Sequence, residues 1–170
     1  LNMGQLSASS ILNAIVGLFS ALDSTDSTLL RKTLWRKVVS VDCHDSATAG
    51  TAFTKSPLWY NDTGANARVT LARATAPIAV TANATNFATF LVTKLDAAGA
   101  NGATVATFAT DTVTDDNMVA HVARTMTLTG ANVIVPPGFY LVGEITKTAA
   151  GVAVTAATSR ARIELEITPE

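Results

Sequence analysis

The densest group of chemistry-bearing side chains is Asp42-Cys43-His44-Asp45, and the only other histidine is His121. A thiol beside an imidazole points either to a nucleophile with its base or to two ligands of a zinc ion. The spacing argues against both. In an extended segment Cys43 and His44 face opposite sides, so they cannot converge on one ion, and zinc needs three or four converging ligands. A Cys-His dyad would need His121 brought to Cys43 together with an orienting acid, and no spacing in the chain supplies that. The expectation is a buried Cys43 and a strand-end His44. A lone cysteine also excludes an intrachain disulfide framework.

The other candidates fare no better. Asp111, Asp115 and Asp116 with Asn117 form an acidic loop that could offer oxygen ligands to calcium. It lacks the alternating spacing that arranges oxygens around one ion, so it reads as a solvated loop between strands. Glu144, Glu164, Glu166 and Asp96 show no pairing of the kind glycoside hydrolysis requires. Nucleophile-elbow, zincin, P-loop and dinucleotide-binding fingerprints are missing from the sequence. Asn61-Asp62-Thr63 and Asn83-Ala84-Thr85 match the N-glycosylation pattern, yet in a chain this rich in Asn and Thr they read as turns. Trp59-Tyr60, beside Pro57, is either an aromatic platform for a sugar or two of the few large side chains available to a core or interface, and the second reading is favoured. The expectation is a protein that is not an enzyme, with no catalytic residue, no metal ligand and no cofactor.

Composition narrows the partners. Of 170 residues 48% are hydrophobic and only 15% charged, with a net charge of −1. Near-neutrality gives no electrostatic footprint for nucleic acid or an anionic membrane. Alanine (30) and threonine (26) together make up a third of the chain, while aromatics are 6%. Surface that lacks charge must be covered by Thr, Ala, Ser and Asn or buried against a partner. The apolar stretch from Ile11 to Leu22 has no basic residue ahead of it and carries Asn13 and Ser20, so it reads as neither a secretory signal nor a membrane span.

Two zones differ in period. Up to about Leu30, Ile11, Ile15, Leu18, Leu22, Thr25 and Leu29 follow the 4-3-4-3-4 spacing of a helical seam. Asp23-Ser24-Thr25-Asp26-Ser27 reads equally as a break between two helices, and the seam serves either its own domain or self-association. Residues 1–33 are thus expected to be a helical anchor or oligomerisation segment, with Ile11, Ile15, Leu18, Leu22 and Leu29 as its interface. Residues 34–170 follow a period of two. Expected strands run from Trp35 to Cys43, Ala67 to Arg73, Ile78 to Ala82, Thr85 to Leu95, Thr104 to Thr110, Val119 to Thr129, Gly138 to Lys147, Val152 to Ala156 and Arg160 to Thr168. Turn chemistry separates them at Asn61–Gly64, Asp96–Gly102, Gly130–Asn132, Pro136–Gly138 and Ala149–Gly151. About eight strands with no helical pattern between them give a mainly β fold, an antiparallel, jelly-roll-like β-sandwich with an N-terminal helical segment. In the last strand Ala161, Ile163, Leu165 and Ile167 form a buried row, and Arg160, Arg162, Glu164 and Glu166 a solvated or partner-facing ladder. Both faces of Thr85 to Leu95 are apolar enough to need cover.

The segment Val133-Ile134-Val135-Pro136-Pro137-Gly138-Phe139-Tyr140-Leu141-Val142 resembles a stretch of trimeric jelly-roll modules, and the Ala/Thr-rich β zone is similar in style to the decoration (cement) and head-fibre proteins of tailed bacteriophages. That resemblance implies a homotrimer seated on the major capsid protein at the virion surface, stabilising the shell without catalysis. The alternative from a different class is a receptor-binding or fibre-tip module that recognises host-surface carbohydrate through Trp59, Tyr60 or Tyr140.

Overall fold

The strict alternation in the last strand sets the architecture. In the computed structural model, which describes residues 37–43, 55–112, 116–147 and 161–170, strand β10 (Ala161–Pro169) buries Ala161, Ile163, Leu165 and Ile167 and turns Arg162, Glu164 and Glu166 to the other face. It pairs antiparallel with β1 (Lys37–Cys43) on one side and β3 (Ala67–Thr75) on the other. In β1 the odd-numbered Val39 and Val41 lie inward opposite Leu165 and Ile163, while Val38, Ser40 and Asp42 are exposed, as the alternation predicts. Large and small residues face each other across the β10–β3 ladder, with Ile163 opposite Ala74 and Leu165 opposite Ala72. Alanine-rich strands pack here because methyls fill the gaps beside branched neighbours.

The remaining strands are β2 (Ser56–Tyr60), β4 (Ala88–Leu95), β5 (Ala103–Ala109), β6 (Arg124–Thr125), β7 (Thr127–Leu128), β8 (Ile134–Val135) and β9 (Tyr140–Lys147). They complete two antiparallel sheets, one ordered β1-β10-β3-β6 with β8 also on β3, the other β2-β9-β4-β5-β7. Between β6 and β7 only the buried Met126 intervenes, and its N–H donates to Ala72 O at 2.9 Å. The chain therefore steps from one sheet to the other across a single residue, then returns through a 3₁₀ turn at Gly130–Val133 to β8. Taken together, β6 to β8 act as one bent strand. The pairing is then nested: first with last, second with next to last, third with the bent strand, and β4 with β5. Residues of both sheets share one buried cluster, whose largest fully buried members are Phe90, Met118, Leu141, Ile145, Ile163 and Leu165.

Three bulges shift the period, one of them at Leu58 in β2. Between Glu166 and Ile167 the register with β3 slips, leaving Thr70 as the extra residue; its hydroxyl donates to Glu166 O at 3.3 Å. The buried positions of β3 accordingly change from Ala67 and Val69 to Ala72 and Ala74. A second slip places Val105 and Ala106, both buried, against Val92.

Several expected strands are corrected. Ile78 to Ala82 is a loop that keeps only the bridge between Val80 and Met118, because Pro77 lacks a donor and the Ala82 N–H goes to Asn117 Oδ1 at 2.8 Å. The strand expected from Thr85 starts at Ala88, since Asn83 Oδ1 accepts the N–H groups of Thr85 and Asn86 and withdraws them from any ladder. Val119 to Thr129 begins as a tight turn, closed by Val122 N–H to Val119 O, before β6 and β7. Strand β2 was not expected; Pro57 is tolerated there because β2 is an edge strand. The helical segment 1–33, with Ile11, Ile15, Leu18, Leu22 and Leu29, and the strand expected at Val152 to Ala156 lie outside the described residues.

Truncating the ring at the centre of this cluster, Phe90→Ala, is expected to lower unfolding stability by about 3–5 kcal/mol in urea titration. Val38→Ala on the exposed face of β1 is expected to stay within about 0.5 kcal/mol.

Candidate functional site

The strand register keeps the backbone positions of Cys43 and His121 apart. Cys43 ends β1 opposite Ala161 in β10, whose neighbour Arg162 pairs with Thr75; His121 reaches the adjacent Ala76, donating its N–H to Ala76 O at 2.9 Å. Both therefore stand at the same end of the first sheet, but three strand spacings apart, roughly 14 Å. That is far beyond the hydrogen bond a nucleophile and its base require. His44 lies outside the described residues. His121 is exposed and holds the third position of the Val119–Val122 turn with φ +62°, a conformation costly for a residue with a Cβ.

The acidic loop spends its oxygens on structure. Asp116 accepts from the Thr112 N–H at 3.2 Å and lies 4.0 Å from the Arg124 guanidinium, and Asn117 holds the Ala82 N–H. Asp111 accepts from the Thr112 hydroxyl at 3.4 Å, and Asp115 is outside the described residues. Among the described residues no three His, Cys, Asp or Glu side chains come together to hold an ion. Glu164 pairs with Arg73 at 3.7 Å on the first sheet, whereas Glu144 sits buried on the second opposite Leu91, so these two carboxylates are on different sheets. The ladder of β10 is thus matched by charge across the sheet, with Arg162 also donating to Ser40 Oγ at 2.6 Å.

Asp96 serves the turn between β4 and β5. Its carboxylate accepts from the N–H of Ala100 at 2.9 Å, the amide of Asn101 at 2.6 Å and the N–H of Ala98 at 3.0 Å, and these donors, the Ala100 bond foremost, hold its pKa below the ordinary value of 3.8. Lys94, half-buried at the end of β4, donates to Ile134 O at 2.6 Å, and burial lowers its pKa.

The outward face of β4 is covered as expected at its end, where Thr93 and Leu95 are buried. The turn at Gly102 crowds them: a Cβ there would lie 3.1 Å from Thr93 Cγ2 and 3.3 Å from Leu95 Cδ2.

Among the described residues, the large apolar side chains that remain exposed, apart from Val38 on the open face of β1, lie at the two ends of the sheets. At one end Ile78, Val119 and Val122 each leave half or more of the residue in solvent. Their loops are locked together by the reciprocal Val80–Met118 backbone bonds, both 2.9 Å, and by the His121–Ala76 bond. Residues 76–87 contain no Asp, Glu, Lys or Arg, whereas the loop that carries Val119 and Val122 is flanked by Asp116 and Arg124, 4.0 Å apart. Ile78, Val119 and Val122 were expected inside strands; Pro77 was the available signal for Ile78, whereas nothing in Ala120-His121 announces a tight turn.

At the other end Trp59 and Tyr60 part company. Trp59 is buried in the shared cluster, with Lys37 Nζ 5.8 Å from its ring. Tyr60 faces outward beside Tyr140, its direct partner across β2 and β9, with ring centroids 4.7 Å apart and tilted by 38°. Asn61 anchors the turn that follows. Fully buried, it donates its amide to Ala65 O at 2.9 Å and Val135 O at 2.8 Å and accepts from the Thr63 hydroxyl at 2.7 Å, so it is a structural turn residue rather than a glycan acceptor. Its backbone is joined to Phe139 O and to the N–H of Gly138, whose φ of +80° only glycine adopts freely. Compared with known proteins, the chain matches no family model, no curated sequence and no solved structure.

Asn61→Ala, which leaves the Val135 and Ala65 carbonyls without their donor, is expected to cost about 2–3 kcal/mol by thermal or urea unfolding. For Asp96 the folded-state pKa is depressed, so its contribution is present above pH 3.8 and disappears as pH falls through the lower folded value. Asp96→Asn is expected to flatten the acid limb of the stability–pH curve in that window, and an unchanged limb would refute the assignment.

Proposed function

We propose that this chain is a structural virion protein, a homotrimeric decoration or cement subunit that binds the major capsid protein on the outer surface of a phage shell. The observation that carries this reading is the exposed aliphatic group Ile78, Val119 and Val122 at one end of the sheets. Exposed aliphatics on loops that backbone bonds hold rigid favour a permanent contact, since contiguous apolar patches on soluble proteins mark interaction sites. The nested strand pairing supports a jelly-roll sandwich, an architecture that recurs in capsid and lectin domains. Fold by itself does not fix function, so the weight rests on the surface and on the resemblance of the Val133–Val142 stretch. Low charge fits the same role: Thr- and Ala-covered surface tolerates close, repeated contacts on a lattice without desolvating ions.

In this reading the β-zone presents its apolar end to the shell, and residues 1–33 supply an anchor or a trimer seam. Light scattering on the full chain is expected to give a trimer, and a monomer would remove the homotrimer from the proposal. Val119→Asp and Val122→Asp are expected to weaken attachment to shells by about tenfold or more, as loss of a buried contact in an interface does. Their unfolding stability should stay within about 0.5 kcal/mol of wild type, as for exposed positions.

A further inference from the structure

We infer that Tyr60 and Tyr140 form a binding site for a neutral saccharide at the end of the sheets opposite the apolar loops. The opposition follows from the register. Tyr60 leads through the turn at Asn61 into the start of β3 at Ala67, whereas Ala76 and His121 lie beyond its end at Thr75, about 27 Å along the strand. A protein seated by Ile78, Val119 and Val122 would thus carry the tyrosines away from that contact.

The chain has two tyrosines, and the fold places both together and in solvent, 44% and 38% exposed. In a sequence with 6% aromatics, rings left outside a core that is otherwise filled by Ala and Val are a costly use of large side chains. The pair is held in place before any ligand arrives. Both residues are fixed by strand pairing, and the turns on either side are tied by the buried Asn61 and by Gly138, where an added Cβ would sit 4.0 Å from Tyr60 Oη. Preorganised rings lose little entropy on binding.

Size and rim decide the ligand class. At those exposures the two residues offer roughly 160 Å² between them, against about 800 Å² per partner in a stable protein interface. That area matches one or two sugar rings, whose C–H faces lie on aromatic faces. The flanking turn, Asp62-Thr63-Gly64-Ala65-Asn66, places Asp62 and Asn66 in solvent, where they can exchange hydrogen bonds with sugar hydroxyls. The site is independent of the shell-binding reading, since it uses neither Ile78, Val119 nor Val122.

The test is an array of neutral and acidic oligosaccharides probed with the labelled full chain, followed by solution titration with the best neutral binder. Wild type is expected to bind a neutral saccharide, and Tyr60→Ala and Tyr140→Ala to weaken it about tenfold or more, while Tyr60→Phe and Tyr140→Phe stay within about threefold. Tyr60→Leu, which keeps apolar bulk but loses the ring, is expected to behave like Tyr60→Ala and keeps the test valid if the alanine variant unfolds. Val119→Asp should leave binding unchanged, which separates failure of this site from failure of the shell contact. The inference is overturned if wild type binds no arrayed neutral saccharide, if the Ala and Leu variants bind as wild type does, or if the tyrosine variants change the oligomeric state instead.

Discussion

The structure depends on the closure made by β10, which joins the end of the described chain to its beginning. By pairing with β1 and β3 at once, the last strand places Ile163 between Val41 and Ala74, and Leu165 between Val39 and Ala72. A shift of one residue would turn this whole row to solvent and bring Arg162 and Glu164 inward, so the register is strongly specified. The same closure is non-local, which makes it costly in loop entropy before it is rewarded by burial. Once it forms, the second sheet is fixed relative to the first through Met126, where the chain crosses between them on a single residue.

Where alternation was strict, the sequence was easy to read. Lys37–Cys43, Ala88–Leu95 and Tyr140–Lys147 lie inside expected strands, Ala161–Pro169 is shifted by one residue from the strand expected at Arg160 to Thr168, and the glycines at 64, 99, 130 and 138 all adopt the positive φ that their turns require. The misreadings have distinct physical causes. Thr70 inserts a bulge that reverses which parity is buried, an event that leaves no mark on composition. Asn83 and Asn117 take backbone N–H groups that a pattern of apolar residues would assign to ladders. His121 adopts a left-handed conformation normally left to glycine or asparagine, so the turn that exposes Val119 and Val122 carries no turn residue at all. The Arg and Glu ladder of β10 was legible, whereas Trp59 and Tyr60, expected together in a core or interface, divide into a buried and an exposed ring, because which ring is buried depends on the register of β2 against β9.

These causes also explain the polarity of the molecule. Side chains that could react are spread over both sheets and used locally: Asp96 and Asn61 hold turns, Asp116 holds a loop, and Glu164 answers Arg73. The apolar groups that escape the core are segregated instead. Apart from Val38 on the open face of β1, the exposed aliphatic side chains gather on two loops at one end, and the tyrosines stand at the other beside a polar turn.

Electron microscopy of particles carrying the protein tests this account most directly, because it reads attachment and orientation together. The account predicts trimeric density on the shell, with the loops bearing Ile78, Val119 and Val122 against the capsid surface and the Tyr60–Tyr140 pair pointing outward. Density in which the tyrosine end meets the shell and those loops stand in solvent would contradict it.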